Sequence, residues 1–164
     1  MRKLSVMIAI LLVGVVAAIG WVSAQGSSPM LTGEDYGQIM QLYGRYNQGS
    51  DFRDPELFVS AFADDAVFKP GSEEVVGREA LLARQRGRLQ EGQEGTPGGS
   101  RHITSSWVIT PTDDGGAKAR AYWMVMNTSG EQPSAVVSGY YDDVYVKTSK
   151  GWRIKSRTLH RDRQ

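Results

Sequence analysis

The amino-acid sequence predicts an α+β domain in which three helices pack on one face of one curved antiparallel sheet. Two observations carry this prediction. Apolar residues recur at helical spacing in the first half of the chain, and from Arg101 onward the period switches to two over four strand-like runs with short polar connections. Helices followed by a strand meander are typical of a sheet with one face buried under the helices.

The first residues are expected to lie outside this domain. Met1–Lys3 is positively charged, residues 4–22 are almost entirely apolar, and small residues end at Ala24. This pattern predicts a signal peptide over residues 1–24 and export to the periplasm or the medium. Because the apolar run approaches the ~20 residues that span a bilayer, an uncleaved membrane anchor is the alternative. Residues 25–33 are small and polar and predict a disordered leader.

Composition argues against several classes of function. The formal net charge is +1, which supplies no electrostatic basis for binding nucleic acid. The chain has no cysteine and only two histidines, and it lacks the spacings of metal-binding, phosphate-binding and dinucleotide-binding motifs. We therefore expect no metal and no cofactor.

The first two helices have recognisable start signals. Thr32 followed by Asp35 resembles a capping box, and Asp54 followed by Pro55 predicts the N-cap and first residue of a short second helix. Apolar and aromatic residues follow the first signal at helical spacing: Tyr36, Ile39, Met40, Tyr43 and Tyr46. The sequence thus places one apolar-aromatic stripe on the first helix.

The third helix is predicted over residues 78–91 and is rich in arginine. Its arginines are interpreted as a solvated face, with anion binding as the alternative. The following segment, Gly92–Ser100, has four glycines in nine residues and predicts a mobile loop.

A brief strand at Asp64–Lys69 precedes the four strands of the meander, which are predicted over residues 101–110, 117–127, 134–147 and 152–160. In the third of these, alternation places Gly139, Tyr141 and Asp143 inward and Tyr140, Val144 and Val146 outward. The outward strip predicts a homodimer interface. Asp143 is either a catalytic carboxyl group or one half of an ion pair with Arg157 or Arg120.

Several motifs together resemble the nuclear transport factor 2-like superfamily and, within it, the SnoaL-like group. They are Tyr46–Asp51, Leu57–Phe68, Gly77–Leu81, Arg101–His102, Gly139–Asp143, Gly151–Ile154 and Arg157. The resemblance covers residues 34–162 and implies a cystatin-like roll, in which the sheet curls into a cone-shaped wall whose apolar interior, closed by the helices, holds a ligand. This fold hosts dehydratases, isomerases and cyclases as well as non-catalytic binders, so the reaction stays open.

Within this group the chain resembles the scytalone dehydratase-like branch, in which a histidine acts as general acid and base. His102 matches that histidine, and Tyr46 matches a tyrosine of the first helix. Three departures are present: Asn47 stands where the branch has a carboxylate, Asn127 stands near its second histidine, and no tyrosine follows the strand at Val67–Lys69.

The missing carboxylate leaves two candidates to orient His102, namely Asp143 and Asp51 at the end of the first helix. With Tyr46 they complete the predicted catalytic set. The predicted ligand-binding residues are aromatic and polar side chains expected around the cavity: Tyr43, Asn47, Trp107, Tyr122, Met124, Asn127 and Tyr141.

The sequence therefore predicts an exported protein that binds a small, hydrophobic, ring-containing molecule. If the protein is an enzyme, we expect a cofactor-independent lyase or isomerase that uses acid–base chemistry, because histidine is the side chain whose charge changes near neutral pH. The alternative is a non-catalytic ligand-binding or homodimeric assembly module of the same fold.

Overall fold

The computed structural model describes residues 30–90 and 99–162. The predicted signal peptide, residues 25–29 of the predicted leader and residues 92–98 of the predicted loop lie outside the described residues. Within those two ranges, no helix has the length and apolar character needed to cross a membrane.

The described part of the chain forms three helices and six strands in the predicted order. The elements are α1 (Gly33–Asp51), α2 (Pro55–Ser60), β1 (Phe62–Lys69), β2 (Val75–Val76), α3 (Arg78–Gln90), β3 (Ser100–Pro111), β4 (Ala117–Asn127), β5 (Ser134–Thr148) and β6 (Gly151–Arg161). The sequence analysis did not predict β2, because a strand of two residues is too short to show alternation.

Both predicted helix starts are confirmed. The Thr32 hydroxyl accepts a hydrogen bond from the Asp35 backbone N–H at 3.2 Å, and the Asp35 carboxylate accepts one from the Thr32 backbone N–H at 2.9 Å. At α2 the Asp54 carboxylate accepts the Leu57 N–H at 2.8 Å. These side chains satisfy backbone donors that have no partner inside a helix.

The predicted α+β fold is confirmed, with one correction to the sheet. The strand order is β2-β1-β6-β5-β4-β3, and the four long strands form antiparallel neighbours, as predicted. The sheet is mixed, however, because β1 runs parallel to β6. A tight hairpin between consecutive strands forces antiparallel pairing. No hairpin joins β1 to β6, because the rest of the domain lies between them in the chain, so the sequence pattern does not determine their relative direction.

The two faces of the sheet differ as the alternation in β5 predicts. Tyr141, Asp143 and Tyr145 are buried beneath the helices, and Val144 is exposed on the other face. Val146 was also predicted to point outward, but it is partly buried and packs against the core. Helix α1 packs against β3 and β6, and α3 packs against β1. The helices therefore cover one face, and the space between helices and sheet holds the candidate site.

Candidate functional site

A cavity of about 580 Å³ lies between the helices and the inner face of the sheet. This volume lies within the roughly 300–1,000 Å³ typical of sites for small molecules. Part of the wall is aromatic and is formed by Tyr46, Phe58, Phe68, Trp123 and Tyr141. The polar part of the wall includes Asp51, Arg53, Gln85, His102, Asn127 and Arg161. The cavity thus combines ring-stacking surfaces with hydrogen-bonding groups.

A carboxylate–histidine pair forms part of the polar wall. Asp51, the last residue of α1, places Oδ1 2.6 Å from His102 Nδ1, and its Oδ2 accepts the His102 backbone N–H at 2.9 Å. The Asp51 side chain is only 4% exposed and the His102 side chain is 22% exposed. Two contacts from one buried carboxylate fix both the strand and the ring, so the orientation of the imidazole is set before a ligand binds.

The pair also determines which ring nitrogen is available. With Nδ1 engaged by the Asp51 carboxylate, the neutral imidazole carries its proton on Nδ1 and leaves Nε2 as the acceptor. The carboxylate also stabilises the imidazolium that forms when Nε2 takes a proton. The arrangement is therefore that of a positioned general base that can return its proton as a general acid.

Asn47 holds this pair in place. Its Nδ2 donates to the His102 backbone carbonyl oxygen at 3.3 Å and to the Thr104 hydroxyl at 3.0 Å, which ties α1 to the strand that carries His102. Asn47 was predicted to bind ligand, yet it is absent from the cavity lining that the structure describes. It acts as a positioning residue, and Asp51, one helical turn further on, supplies the carboxylate.

Two tyrosines and one tryptophan in the cavity wall carry hydrogen-bond donors, and the hydroxyl groups of the two tyrosines, Tyr46 and Tyr141, hydrogen-bond each other. Burial raises the pKa of Tyr46 and the pKa of Tyr141, so both hydroxyl groups stay protonated near neutral pH. Tyr46 meets the His102 ring edge-on at 6.4 Å, and Trp123 stacks on Tyr141 at 5.7 Å. The Trp123 Nε1 is buried and has no hydrogen-bond partner among the described residues.

Asp143 lies in the core rather than beside His102. Its carboxylate accepts two hydrogen bonds from Arg157, at 2.8 Å each, and further ones from the hydroxyl groups of Tyr43 at 2.8 Å and Tyr145 at 2.7 Å. The Asp143 and Arg157 side chains are both 0% exposed. The ion-pair alternative is thus the one that the geometry favours, because every partner of this carboxylate is a buried structural group.

Arg157 in turn supports the aromatic wall. Its guanidinium lies 4.2 to 4.7 Å from the centres of three tyrosine rings, those of Tyr43, Tyr46 and Tyr141. Because the face of an aromatic ring is electronegative, these contacts stabilise the buried charge. The predicted ligand-binding residue Tyr43 therefore belongs to this core network, while Tyr46 and Tyr141 contact both the network and the cavity.

Besides Asn47 and Tyr43, three more of the predicted ligand-binding residues are absent from the cavity lining that the structure describes. Tyr122, 58% exposed, and Met124 project from the outer face of β4. The prediction placed Tyr122 and Met124 in the cavity, but successive strand residues point to opposite faces, and the residue between them, Trp123, is the one that points inward. Trp107 lies at a register shift in β3, directly after Ser106, whose φ is 54°. The Trp107 ring packs edge-on against the core residue Tyr43, with the ring centres 6.2 Å apart.

The structure also adds residues that the predicted set omitted. Arg53, Gln85, Arg88 and Arg161 line the cavity beside Asn127, which was predicted. The sequence does contain a signal for Gln85: Gln85 follows Leu81 by four residues and therefore shares a helix face with this leucine, which is fully buried in the structure. Nothing local in the sequence places Arg53 or Arg161 there, since their position depends on how α1 and β6 meet.

The residues that the structure describes include no group of three or more His, Asp or Glu side chains arranged to hold a metal ion. The polar groups of the cavity are suited to hydrogen bonding and proton transfer.

The fold and cavity define a class of protein, the small α+β roll that encloses a ligand site between its helices and its sheet. Residues 32–158 match the model of the SnoaL-like domain. The chain belongs to this family, within the nuclear transport factor 2-like superfamily, and the predicted membership is confirmed. No curated protein gives a significant match to the chain.

Solved structures share this fold. A protein of unknown function with a cystatin-like fold from Nostoc punctiforme is 26% identical, with a TM-score of 0.69, and the match covers 80% of this chain and 94% of that chain. The protein Aln2 from a Streptomyces species is 25% identical, with a TM-score of 0.69 and coverage of 81% and 94%.

A third similar structure, provisionally described as a scytalone dehydratase, comes from Novosphingobium aromaticivorans. It is 21% identical, with a TM-score of 0.63, and the match covers 79% of this chain and 85% of that chain. A likeness at this identity bears on the fold alone.

Proposed function

We propose that this protein binds a small, hydrophobic, ring-containing compound in the cavity and catalyses a cofactor-independent lyase or isomerase reaction on it. The observation that carries the proposal is the Asp51–His102 pair, with its 2.6 Å contact, in the wall of a cavity lined by aromatic rings. A site that only binds an apolar ligand does not require a buried carboxylate that fixes an imidazole at the edge of the cavity, whereas a site for proton transfer does.

The proposed chemistry begins at a carbon next to a carbonyl group of the ring compound. His102 Nε2 removes a proton from that carbon, and the electron pair of the broken C–H bond moves toward the carbonyl oxygen. A hydroxyl group of Tyr46 or Tyr141, or the indole N–H of Trp123, donates a hydrogen bond to that oxygen as negative charge develops there. The Asp51 carboxylate stabilises the imidazolium meanwhile.

The protonated histidine then completes one of two reactions. Where the compound also carries a carbon–carbon double bond next to the carbon that lost the proton, returning the proton to the far carbon of that bond shifts the double bond into conjugation with the carbonyl group, which is an isomerisation. Delivering the proton to a hydroxyl group on the adjacent carbon releases water and leaves a carbon–carbon double bond, which is a dehydration. Both outcomes leave His102 neutral, so neither needs a cofactor.

The test compares the two histidines of the chain on a probe ketone. 2-Tetralone has acidic protons beside its carbonyl group, so proton removal in D2O incorporates deuterium that mass spectrometry detects. We expect the wild-type protein and His160→Ala to accelerate this exchange, since His160 stacks on Tyr140 on the outer face of the sheet. His102→Ala should lose the acceleration at an unchanged melting temperature. Equal exchange by His102→Ala and the wild type would refute the proposal.

We propose two further properties of the protein, export and self-association, which do not depend on the cavity. The protein is exported by its N-terminal segment, which immunoblotting of periplasmic and culture fractions tests. It also self-associates through the outer face of the sheet, where Tyr122 and Val144 are exposed. Light scattering of the wild type and Val144→Lys tests this: a dimer that the variant turns into a monomer supports it, and a monomeric wild type contradicts it.

A further inference from the structure

We propose that the ring-containing ligand of this cavity carries a carboxylate, which the arginines of the cavity wall bind. This inference rests on the proposed function, because it specifies the ligand of the same site. Four arginines from different parts of the chain line the cavity: Arg53, Arg84, Arg88 and Arg161. Asp51 is the only acidic residue among the described lining residues, and His102 already engages it.

The arginines of α3 divide between the cavity and the solvent. Arg78 and Arg86 form exposed ion pairs with Asp64 and Glu56, so for them the interpretation as a solvated face holds. Arg84 lines the cavity, but Glu73 accepts a bidentate pair of hydrogen bonds from it at 2.9 to 3.2 Å, which offsets its charge. The argument for an anion therefore depends mainly on arginines outside α3.

Among the arginines outside α3, Arg53 gives the strongest support for a bound anion. It occupies the turn between α1 and α2, two residues after Asp51, and its side chain forms no ion pair with the residues described. Its Nε is buried without a hydrogen-bond partner there. Its backbone adopts the left-handed conformation with φ at 57°, which a residue other than glycine adopts at a cost. A strained residue that carries a buried donor without an acceptor is typical of a ligand-binding position.

Trp123 supplies a second donor of the same kind. It is 5% exposed, lines the cavity, and presents Nε1 without a partner in the described ranges. A buried N–H group without an acceptor is destabilising, so a ligand oxygen that accepts from Trp123 Nε1 would gain a favourable hydrogen bond. Arg161, at the last position of β6, adds an exposed guanidinium that forms no ion pair with the described residues.

These groups match a carboxylate on an aromatic ring. The planar guanidinium fork binds a carboxylate through two parallel hydrogen bonds, and the ring can stack on the aromatic wall beside Trp123 and Tyr141. Because Arg53 follows Asp51 closely in the chain, a carboxylate held by Arg53 would keep the ring near His102. The arginines thus orient the ligand for the proposed proton transfer.

The experiment compares 2-naphthoate with its neutral analogue 2-naphthamide by isothermal titration calorimetry at low salt. We expect the wild type to bind 2-naphthoate about tenfold more tightly than 2-naphthamide, because charge-assisted hydrogen bonds are roughly twice as strong as neutral ones. Arg53→Gln should lose most of that preference and bind 2-naphthamide as before. Arg86→Gln, with its exposed partner Glu56, is the matched control and should behave as the wild type.

Each outcome decides the inference. If both compounds bind the wild type equally, the ligand needs no carboxylate and the inference fails, while the proposed function stands. If neither compound binds, the ring-binding site itself is refuted, and both proposals fail. Should Arg53→Gln not fold, Arg161→Gln replaces it, and an unchanged preference for 2-naphthoate in that variant overturns the inference.

Discussion

Replacing Asp143 by Asn separates a structural role for this carboxylate from a catalytic one. The substitution preserves shape but leaves the Arg157 guanidinium, 0% exposed, without its counter-charge. Removing one partner of a buried ion pair costs about 3–5 kcal/mol. For a domain of this size, that loss corresponds to a fall in melting temperature of roughly 10–20 °C. Thermal and urea unfolding followed by circular dichroism measure both quantities.

The neighbouring carboxylate provides a matched control. Asp142 projects from the opposite face of β5, is 41% exposed, and pairs with Arg120 at 2.8 Å. Exposed pairs contribute less than about 1 kcal/mol, so Asp142→Asn should unfold almost as the wild type does. The reasoning is refuted if Asp143→Asn is as stable as Asp142→Asn. Loss of the tetralone exchange at wild-type stability would instead assign Asp143 to catalysis.

Two further predictions concern stability. Gly139→Ala should lower the free energy of unfolding by at least about 2 kcal/mol, because a Cβ at this position would lie 1.9 Å from the His160 carbonyl oxygen; urea unfolding measures the loss, and a variant as stable as the wild type would contradict the strand packing. Hydrogen bonding, foremost from Lys147, holds the pKa of Asp35 well below its ordinary value. The stabilisation from the ionised Asp35 is therefore present above the unfolded Asp pKa of ~3.9 and is lost progressively as the pH falls below it. The free energy of unfolding should therefore change less between pH 7 and pH 3 for Asp35→Asn than for the wild type. An equal change in both proteins would contradict the lowered pKa of Asp35.

Much of the fold follows from local signals. The capping residues at Thr32 and Asp54 mark where two helices begin, because their side chains bond to nearby backbone groups whatever the rest of the chain does. The alternation of β5 likewise predicts its buried face. The direction of β1 has no such signal, since its partner β6 lies at the other end of the chain and no hairpin joins them.

The site could be predicted only in part. Resemblance indicated His102 and Tyr46, and both line the cavity. Asp51 and Asp143 remained alternative candidates to orient His102, because the sequence does not show which carboxylate reaches the histidine. Only the tertiary structure shows that Asp51 contacts His102 while Asp143 contacts Arg157.

Other positions show the two different ways in which sequence reasoning fell short. Tyr122 and Met124 could have been excluded, since neither shares a strand face with Trp123. Arg53 and Arg161 could not have been included, because they reach the cavity through the packing of α1, α2 and β6 rather than through any periodic pattern. Local periodicity thus determines the face of a side chain, and tertiary contacts determine which elements meet at a site.

The most direct test of the central claim, proton transfer by His102, is chemical rescue. His102→Ala removes the imidazole but keeps Asp51, and an added imidazole molecule can occupy the space beside that carboxylate. We predict that millimolar imidazole restores deuterium exchange into 2-tetralone by His102→Ala and does not affect the wild type. A variant that exchanges deuterium without imidazole, or that imidazole fails to rescue while 2-tetralone still binds, would contradict the account.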